Sequence, residues 1–257
     1  ELDDVNGTTL GDDEVNFGTK LTAGKTYVLE ITDASDADLI GTIQEVTVWS
    51  GNTITTPQDL GADGLLSGDK YQIRAASTIS DVFGATNSAG IQGGASSGVA
   101  DNIYLSTASG FDVYYYSTGG FVGVGWRKVG GGSDDYSSQP IFLSDGFYVL
   151  RRGADMDVVV TGAVKVEDSN LAVTKQFTRV SGVYPVGSTF GSSGLQQGLT
   201  GGASSGVADN VMIQKAEGGF DVYYYSTGGF VGVGWRKVGS GSTDQASVEL
   251  PSAFIIK

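Results

Sequence analysis

Neither cysteine nor histidine occurs among the 257 residues, and there are only 4 prolines. Without cysteine there are no disulfides and no thiolate metal sites. Without histidine there is no imidazole ligand and no base for a serine-hydrolase triad. Cations are scarce as well: 15 Lys and Arg stand against 29 Asp and Glu, a formal charge of −14. A surface of that sign repels nucleic acid and anionic lipid, and no basic cluster offsets it. The longest apolar runs are strand-sized, so membrane insertion is not expected. A loop-rich chain without cysteine points to an exported bacterial protein rather than a eukaryotic secreted domain. The start at Glu1 rather than Met reads as a mature form whose signal peptide has been removed. The sequon "NGT" at Asn6 is a common triplet and carries little weight.

What the sequence does hold is 41 glycines and 12 tyrosines, with abundant Thr, Ser and Val. That usage suits β-strands joined by tight turns. "TYVLEIT", "GTIQEVTVWSGNTITT" and "DKYQIRAA" alternate or run apolar over strand lengths, and "SGNT" reads as a hairpin turn. "STISDVFG" is the one helical signal, a short turn capped by Ser77 or Thr78. The expected fold is all-β, built of antiparallel β-sandwich or barrel-like units.

Internal repetition is the strongest pattern. "FDVYYYSTGGFVGVGWRKVG" at 111–130 returns unchanged at 220–239, and "GGASSGVADN" precedes both copies, at 93–102 and 201–210. "SDVFG" (80–84) aligns with "GSTFG" (187–191), and "LSDGFYVL" (143–150) with "LPSAFIIK" (250–257). The duplicated unit is thus about seventy residues long. The expected organisation is an N-terminal β region at 1–79, whose acidic residues 1–17 form an extended arm, a repeat unit at 80–151, connecting strands at 152–185 ("MDVVVTGAVKVED" and "LAVTKQFTRV"), and a second repeat unit at 186–257.

"STGG" can close a hairpin. If Tyr116 faces Phe121, then Phe111, Val113, Tyr115, Val122, Val124 and Trp126 share one apolar face. That face reads as core, contributing on the order of 10 kcal/mol as an upper bound. Asp112, Tyr114, Tyr116, Phe121 and Arg127 then point outward, as do Asp221, Tyr223, Tyr225, Phe230 and Arg236 in the second copy. In this register Tyr114 covers Gly123 and Tyr223 covers Gly232, the pairing known as aromatic rescue. Asp112 reaches Arg127 diagonally, and Asp221 reaches Arg236. Packing constrains only an inner face, yet the outward residues are identical too. Residues 103–110 differ from 211–219 immediately before the invariant block.

Chemistry is mostly excluded. "GASSG" at 94–98 and 202–206 matches the esterase elbow at Ser96 and Ser204, but the histidine base and the strand-to-helix setting are missing. "GTKLTAGKT" near Lys25 has one residue too many between its glycines for a phosphate-binding loop and reads as a turn leading into a strand. Only hard cations on oxygen ligands, chiefly calcium, remain open to this composition, with Asp101 and Asp209 of the paired "ADN" loops as candidate ligands. No two carboxylates stand out as a glycosidase pair, and catalytic sites are seldom duplicated residue for residue, so no enzyme is expected.

The progression Tyr114–Tyr116, Trp126–Gly130, Asp134–Asp135 and Phe147–Arg152 resembles an uncharacterised family of exported Tyr-rich, W-R-K-V-G repeat proteins from Verrucomicrobia and related bacteria. The second copy matches through Gly239 and Asp244 but lacks the closing arginines. "LLSGDKYQIRAASTISDVFG" (65–84) is similar to the stretch that leads into that family's repeat. The resemblance implies export and a role outside the cell, with surface association where members carry a sorting tail.

Together these readings favour a secreted structural protein that self-assembles into a filament, sheath or surface layer, its partners being other copies of itself. Head-to-tail contact through the repeated faces generates a fibre, and strand donation by the 1–17 arm is one route. The alternative is an extracellular carbohydrate-binding or adhesion module, with Tyr114, Tyr116 and Phe121, and Tyr223, Tyr225 and Phe230, as two aromatic platforms for polysaccharide.

Overall fold

The computed structural model describes residues 1–107, 110–142, 146–158, 169–171, 173, 177–215 and 217–257. Strands take 38% of it and helix 8%, which makes the protein all-β, in several antiparallel sheets. The chain divides into two compact units, residues 1–142 with 147–171, and 143–146 with 172–257. The N-terminal region and the first repeat therefore fold within one unit rather than as separate domains. Most of "MDVVVTGAVKVED" lies outside the described residues.

The first unit opens with strands β1 (Asp4–Asn6) and β2 (Thr9–Gly11), helix α1 (Phe17–Lys20), strand β3 (Tyr27–Asp33) and a 3-10 turn at Ala37–Leu39. Strands β4 (Ile43–Val46), β5 (Val48–Ser50), β6 (Thr53–Thr55) and β7 (Lys70–Ala75) follow. They form two antiparallel sheets, ordered β1-β2-β6-β5 and β4-β3-β7. Between them lies a core of Leu2, Leu10, Phe17, Tyr27, Leu29, Ile31, Leu39, Val46, Ile54, Leu60 and Leu65. The opening segment is accordingly not an extended arm. Its carboxylates hide an apolar spacing that buries Leu2, Leu10 and Phe17, each worth about 1.5–3 kcal/mol on removal from water. The "SGNT" hairpin forms as its sequence dictates: Ser50 pairs with Thr53, and Gly51 takes a φ of 55°.

A second core in the same unit carries the first repeat. Strand β8 (Ser77–Thr78), helix α2 (Ile79–Phe83), strands β9 (Asn102–Thr107), β10 (Gly110–Thr118), β11 (Val124–Lys128), β12 (Pro140–Ile141) and β13 (Phe147–Leu150) build it. α2 starts in a capping box. The Thr78 hydroxyl accepts from Asp81 N at 3.2 Å, and Thr78 N donates to the Asp81 carboxylate at 2.8 Å. Such a cap is worth about 1 kcal/mol. The sheet order is β11-β10-β9-β13, and Ile79, Phe83, Ile91, Ile103, Tyr114, Trp126 and Ile141 are buried together against it.

The second unit comprises β14 (Thr178–Ser181), β15 (Asn210–Gln214), β16 (Phe220–Thr227), β17 (Val233–Lys237) and β18 (Ala253–Ile256), ordered β14-β18-β15-β16-β17. Four of its strands repeat the order of the first repeat's sheet, with β14 added outside β18. "LAVTKQFTRV" thus ends in a strand, while its residues 172 and 174–176 fall outside the described set.

Candidate functional site

The duplicated phrase forms the same hairpin twice, in a register other than the one its turn signals imply. Tyr116 pairs with Trp126, and Tyr225 with Trp235. The strands end at Thr118 opposite Val124 and Thr227 opposite Val233, so five residues, 119–123 or 228–232, make the turn. Gly119, Gly120 and Gly123 all hold positive φ, which lets the turn run past "STGG" and take in Phe121 and Val122. Ser117 is fully buried at its base and donates its hydroxyl to Gly119 O at 3.0 Å. The pairing differs from the expected one by an odd number of residues, so the two strands exchange relative faces.

Each expected outward residue therefore needs placing afresh. Tyr114 is 1% exposed and Tyr223 5%. Tyr116 packs edge-on to Trp126 with ring centroids 5.3 Å apart, and Tyr225 to Trp235 at 5.7 Å. These tyrosines line the inside, and neither Tyr114 nor Tyr223 lies opposite a glycine; their cross-strand partners are Lys128 and Lys237. Conversely Phe111, Val124 and Val233, with Phe220, are exposed rather than core. Burial pushes the Tyr114 hydroxyl pKa well up, and the Asp112 carboxylate beside it adds to the effect.

Arg127 and Arg236 are buried too, and neither pairs with the aspartate expected for it. Arg127 folds back along its own strand. Its Nε donates to Val122 O at 2.7 Å, Nη2 to Val124 O at 2.7 Å, and Nη1 to Trp126 O at 3.0 Å. Arg236 repeats this on Val231, Val233 and Trp235 at 2.7, 2.9 and 2.8 Å. The charge is met by Asp135 at 3.5 Å in the first copy and by Asp244 at 3.2 Å in the second. Asp112 instead pairs with Lys128 at 2.8 Å, and Asp221 with Lys237 at 2.7 Å. Those partners were within reach of sequence reasoning, since a longer turn brings both lysines opposite the tyrosines.

Phe121 and Phe230 keep the outward position expected of them and are fully exposed at the apex, while Asp112 and Asp221 stay partly exposed. Alongside each apex runs the "GGASSGVA" loop. Gly94 N donates to Tyr116 O at 3.1 Å and Thr118 N to Gly94 O at 3.2 Å; the second copy repeats both bonds through Gly202, at 3.1 and 3.3 Å. These loops bring exposed Val99 and Val207 to the hairpin ends, a contribution the repeat pattern alone did not single out. Residues 93–100 with 116–126, and 201–208 with 225–235, contain no charged side chain. Each apex is thus made of residues without charged side chains on a chain of charge −14, with Arg127 or Arg236 bonded to its turn and the exposed Asp135 or Asp244 at its flank.

The two "ADN" aspartates are not equivalent. Asp101 is fully buried, and its carboxylate accepts Gln92 N at 2.7 Å and Arg152 N at 2.6 Å while pairing with the Arg151 guanidinium. Burial alone would raise its pKa; the Arg152 and Gln92 N–H groups and the Arg151 charge outweigh it and hold the carboxyl below its ordinary value. A carboxylate so occupied is a clamp joining the end of β13 to the glycine-serine loop. Asp209 accepts Thr200 N at 2.7 Å. Among the described residues no group of three or more acidic side chains is placed to hold a metal ion. Ser96 and Ser204 sit in turns, as expected of a glycine-serine loop.

The fold and site define an all-β protein with two like hairpins, each presenting one exposed phenylalanine at its apex. No family model, curated protein or solved structure matches the chain. Among the described residues no helix is long and apolar enough to cross a membrane.

Proposed function

We propose that this is an extracellular structural protein that self-assembles through its two hairpin apices. The observation that carries the reading is the full exposure of Phe121 and Phe230. The other aromatic rings of the repeated phrase are less exposed, and Tyr114, Tyr116 and Trp126, with Tyr223, Tyr225 and Trp235, pack on neighbouring rings. Exposing an aromatic ring forgoes roughly 1.5–3 kcal/mol of burial, a cost that contact with another molecule recovers.

The partner that fits is a second copy. Like-charged subunits repel over about 8–10 Å at physiological salt, and the residues of the apices themselves add no charge to that repulsion. Two apices per chain supply the two contacts that an unclosed assembly needs. Filament, sheath or layer are the forms such a contact generates. A carbohydrate platform built on Tyr114, Tyr116, Tyr223 and Tyr225 is less favoured, because Tyr116 and Tyr225 pack against the tryptophans and Tyr114 and Tyr223 are buried against Tyr136 and Phe190.

The test is light scattering and negative-stain microscopy of the whole chain across a salt titration. Assembly should grow as salt screens the charge and vanish in the Phe121→Ser, Phe230→Ser double variant. A wild-type chain that stays monomeric throughout would sink the proposal.

A further inference from the structure

β11 and β17 are edge strands of their sheets. An edge strand carries a row of unpaired carbonyl and N–H groups on alternate residues, a template onto which another strand adds. Here the outer row of β11 and its turn is Val122 O, Val124 O and Trp126 O, and one guanidinium takes all three. In the second sheet Val231 O, Val233 O and Trp235 O are taken by Arg236 in the same way. The loop after each strand closes over the arrangement. Tyr136 N donates to Trp126 O at 3.0 Å, Gln245 N to Trp235 O at 3.0 Å, and Asp135 and Asp244 meet the positive charge.

The glycine spacing of "VGVGWR" belongs to this device. Gly125 has a φ of 132°, and a Cβ there would lie 3.1 Å from Arg127 Nη1 and 3.3 Å from the Asp135 carboxylate. Gly234 has a φ of 129° and the corresponding distances are 3.2 Å to Arg236 Nη1 and 3.2 Å to the Asp244 carboxylate. Only glycine leaves the guanidinium a bed along its own strand. Lysine offers no planar fork to span three carbonyls, so the residue type is specified as well as the charge.

We infer that Arg127 and Arg236 are edge guards: each occupies the carbonyl row that a strand from a second copy of this chain would otherwise pair with. The two sheets thereby stay closed to strand addition while the apices remain open to contact, and association through β11 and β17 is what the arginines exclude.

The test uses the full chain carrying Phe121→Ser and Phe230→Ser, which makes the result independent of the apices. Arg127→Met, with Arg236→Met as its twin, keeps an unbranched stem and removes every donor. The expected result is at least a doubling of apparent mass by multi-angle light scattering, with slowed amide hydrogen exchange in the affected edge strand. A variant that keeps its tryptophan near-UV circular dichroism yet stays monomeric overturns the inference. If the Met variant loses that spectrum, Arg127→Lys and Arg236→Lys are measured in the same way. A folded, monomeric Lys variant overturns it, and so does loss of the fold in the Lys variant, since the arginine would then be holding the hairpin rather than guarding its edge.

Discussion

The two copies of the hairpin hold the same twenty residues in unlike surroundings. β10 and β11 are backed by a capped helix, and Trp126 Nε1 donates to Gly84 O at 2.9 Å. β16 and β17 are backed by the turn at 188–193, where Phe190 lies 4.4 Å from the Trp235 ring, and Trp235 Nε1 is buried with no hydrogen-bond partner among the described residues. Asp101 is clamped by Arg151 and the Arg152 N–H, while Asp209 holds one backbone N–H. Register, the edge-on tyrosine–tryptophan pair and the arginine's three bonds are nonetheless the same in both. Local sequence sets the hairpin's geometry, and the surroundings set how firmly it is held.

That division is tested most strongly where the copies should agree. Phe83→Ala and Phe190→Ala each remove a ring packed on the tryptophan, and each should cost about 3–5 kcal/mol, read by urea denaturation with tryptophan fluorescence. A large loss in one copy alone would break the equivalence. The aspartates should then diverge. Asp101→Ala strands the Arg151 charge and several N–H groups and should cost about 3 kcal/mol, against roughly 1 kcal/mol for Asp209→Ala. Acid should reveal the same clamp. Because the Asp101 pKa is depressed in the folded chain, its contribution is present above the unfolded value of about 3.9 and is lost as pH falls below that through the folded value. Asp69 acts likewise. Its burial is outweighed by donors from Leu66 and Ser35, which hold the carboxyl low. Asp101→Asn should flatten the acid limb of the first unit's denaturation profile; an unchanged limb would show that other carboxylates govern it.

A finer contrast concerns the indoles. Trp126→Phe deletes a hydrogen bond and should cost about 1 kcal/mol more than Trp235→Phe, which removes a buried N–H that has no partner. Equal losses would show that the two nitrogens have equivalent surroundings. The smallest effect should come from Lys128→Ala and Lys237→Ala. Their pairs with Asp112 and Asp221 are partly exposed, so each loss should stay below about 1 kcal/mol and fall further in salt.

Much of this architecture was legible from residue order. Alternation marked the strands, "SGNT" its hairpin, and Ser77 or Thr78 the start of α2, where Thr78 is the cap. The repeated "GGASSGVADN" announced matching loops, and Phe83 and Phe190 fell in equivalent places, each packed on its tryptophan. The turn was not legible, because Gly119, Gly120, Gly123 and Gly125 all permit a positive φ and each offers a place to reverse the chain. Choosing an early reversal set Trp126 beside the wrong residues of β10, so Tyr114 and Tyr116 were read as outward. Arg127 escaped for a different reason: alternation assumes that side chains stand off the sheet, whereas this one lies along its edge. The acidic opening segment misled through charge, which concealed Leu2, Leu10 and Phe17 at core spacing.

The arginine's bed has one more consequence, for how the phrase can change. Gly125, Arg127 and the aspartate at 135 fit one another at 3.1–3.5 Å. A side chain at 125 crowds the guanidinium, a shorter cation at 127 leaves carbonyls bare, and a loop without its acid leaves a buried charge unanswered. No single replacement among them is neutral, so one-step paths to a different but working phrase are closed. Such a stretch is far easier to copy whole than to edit, and the two hairpins read letter for letter alike.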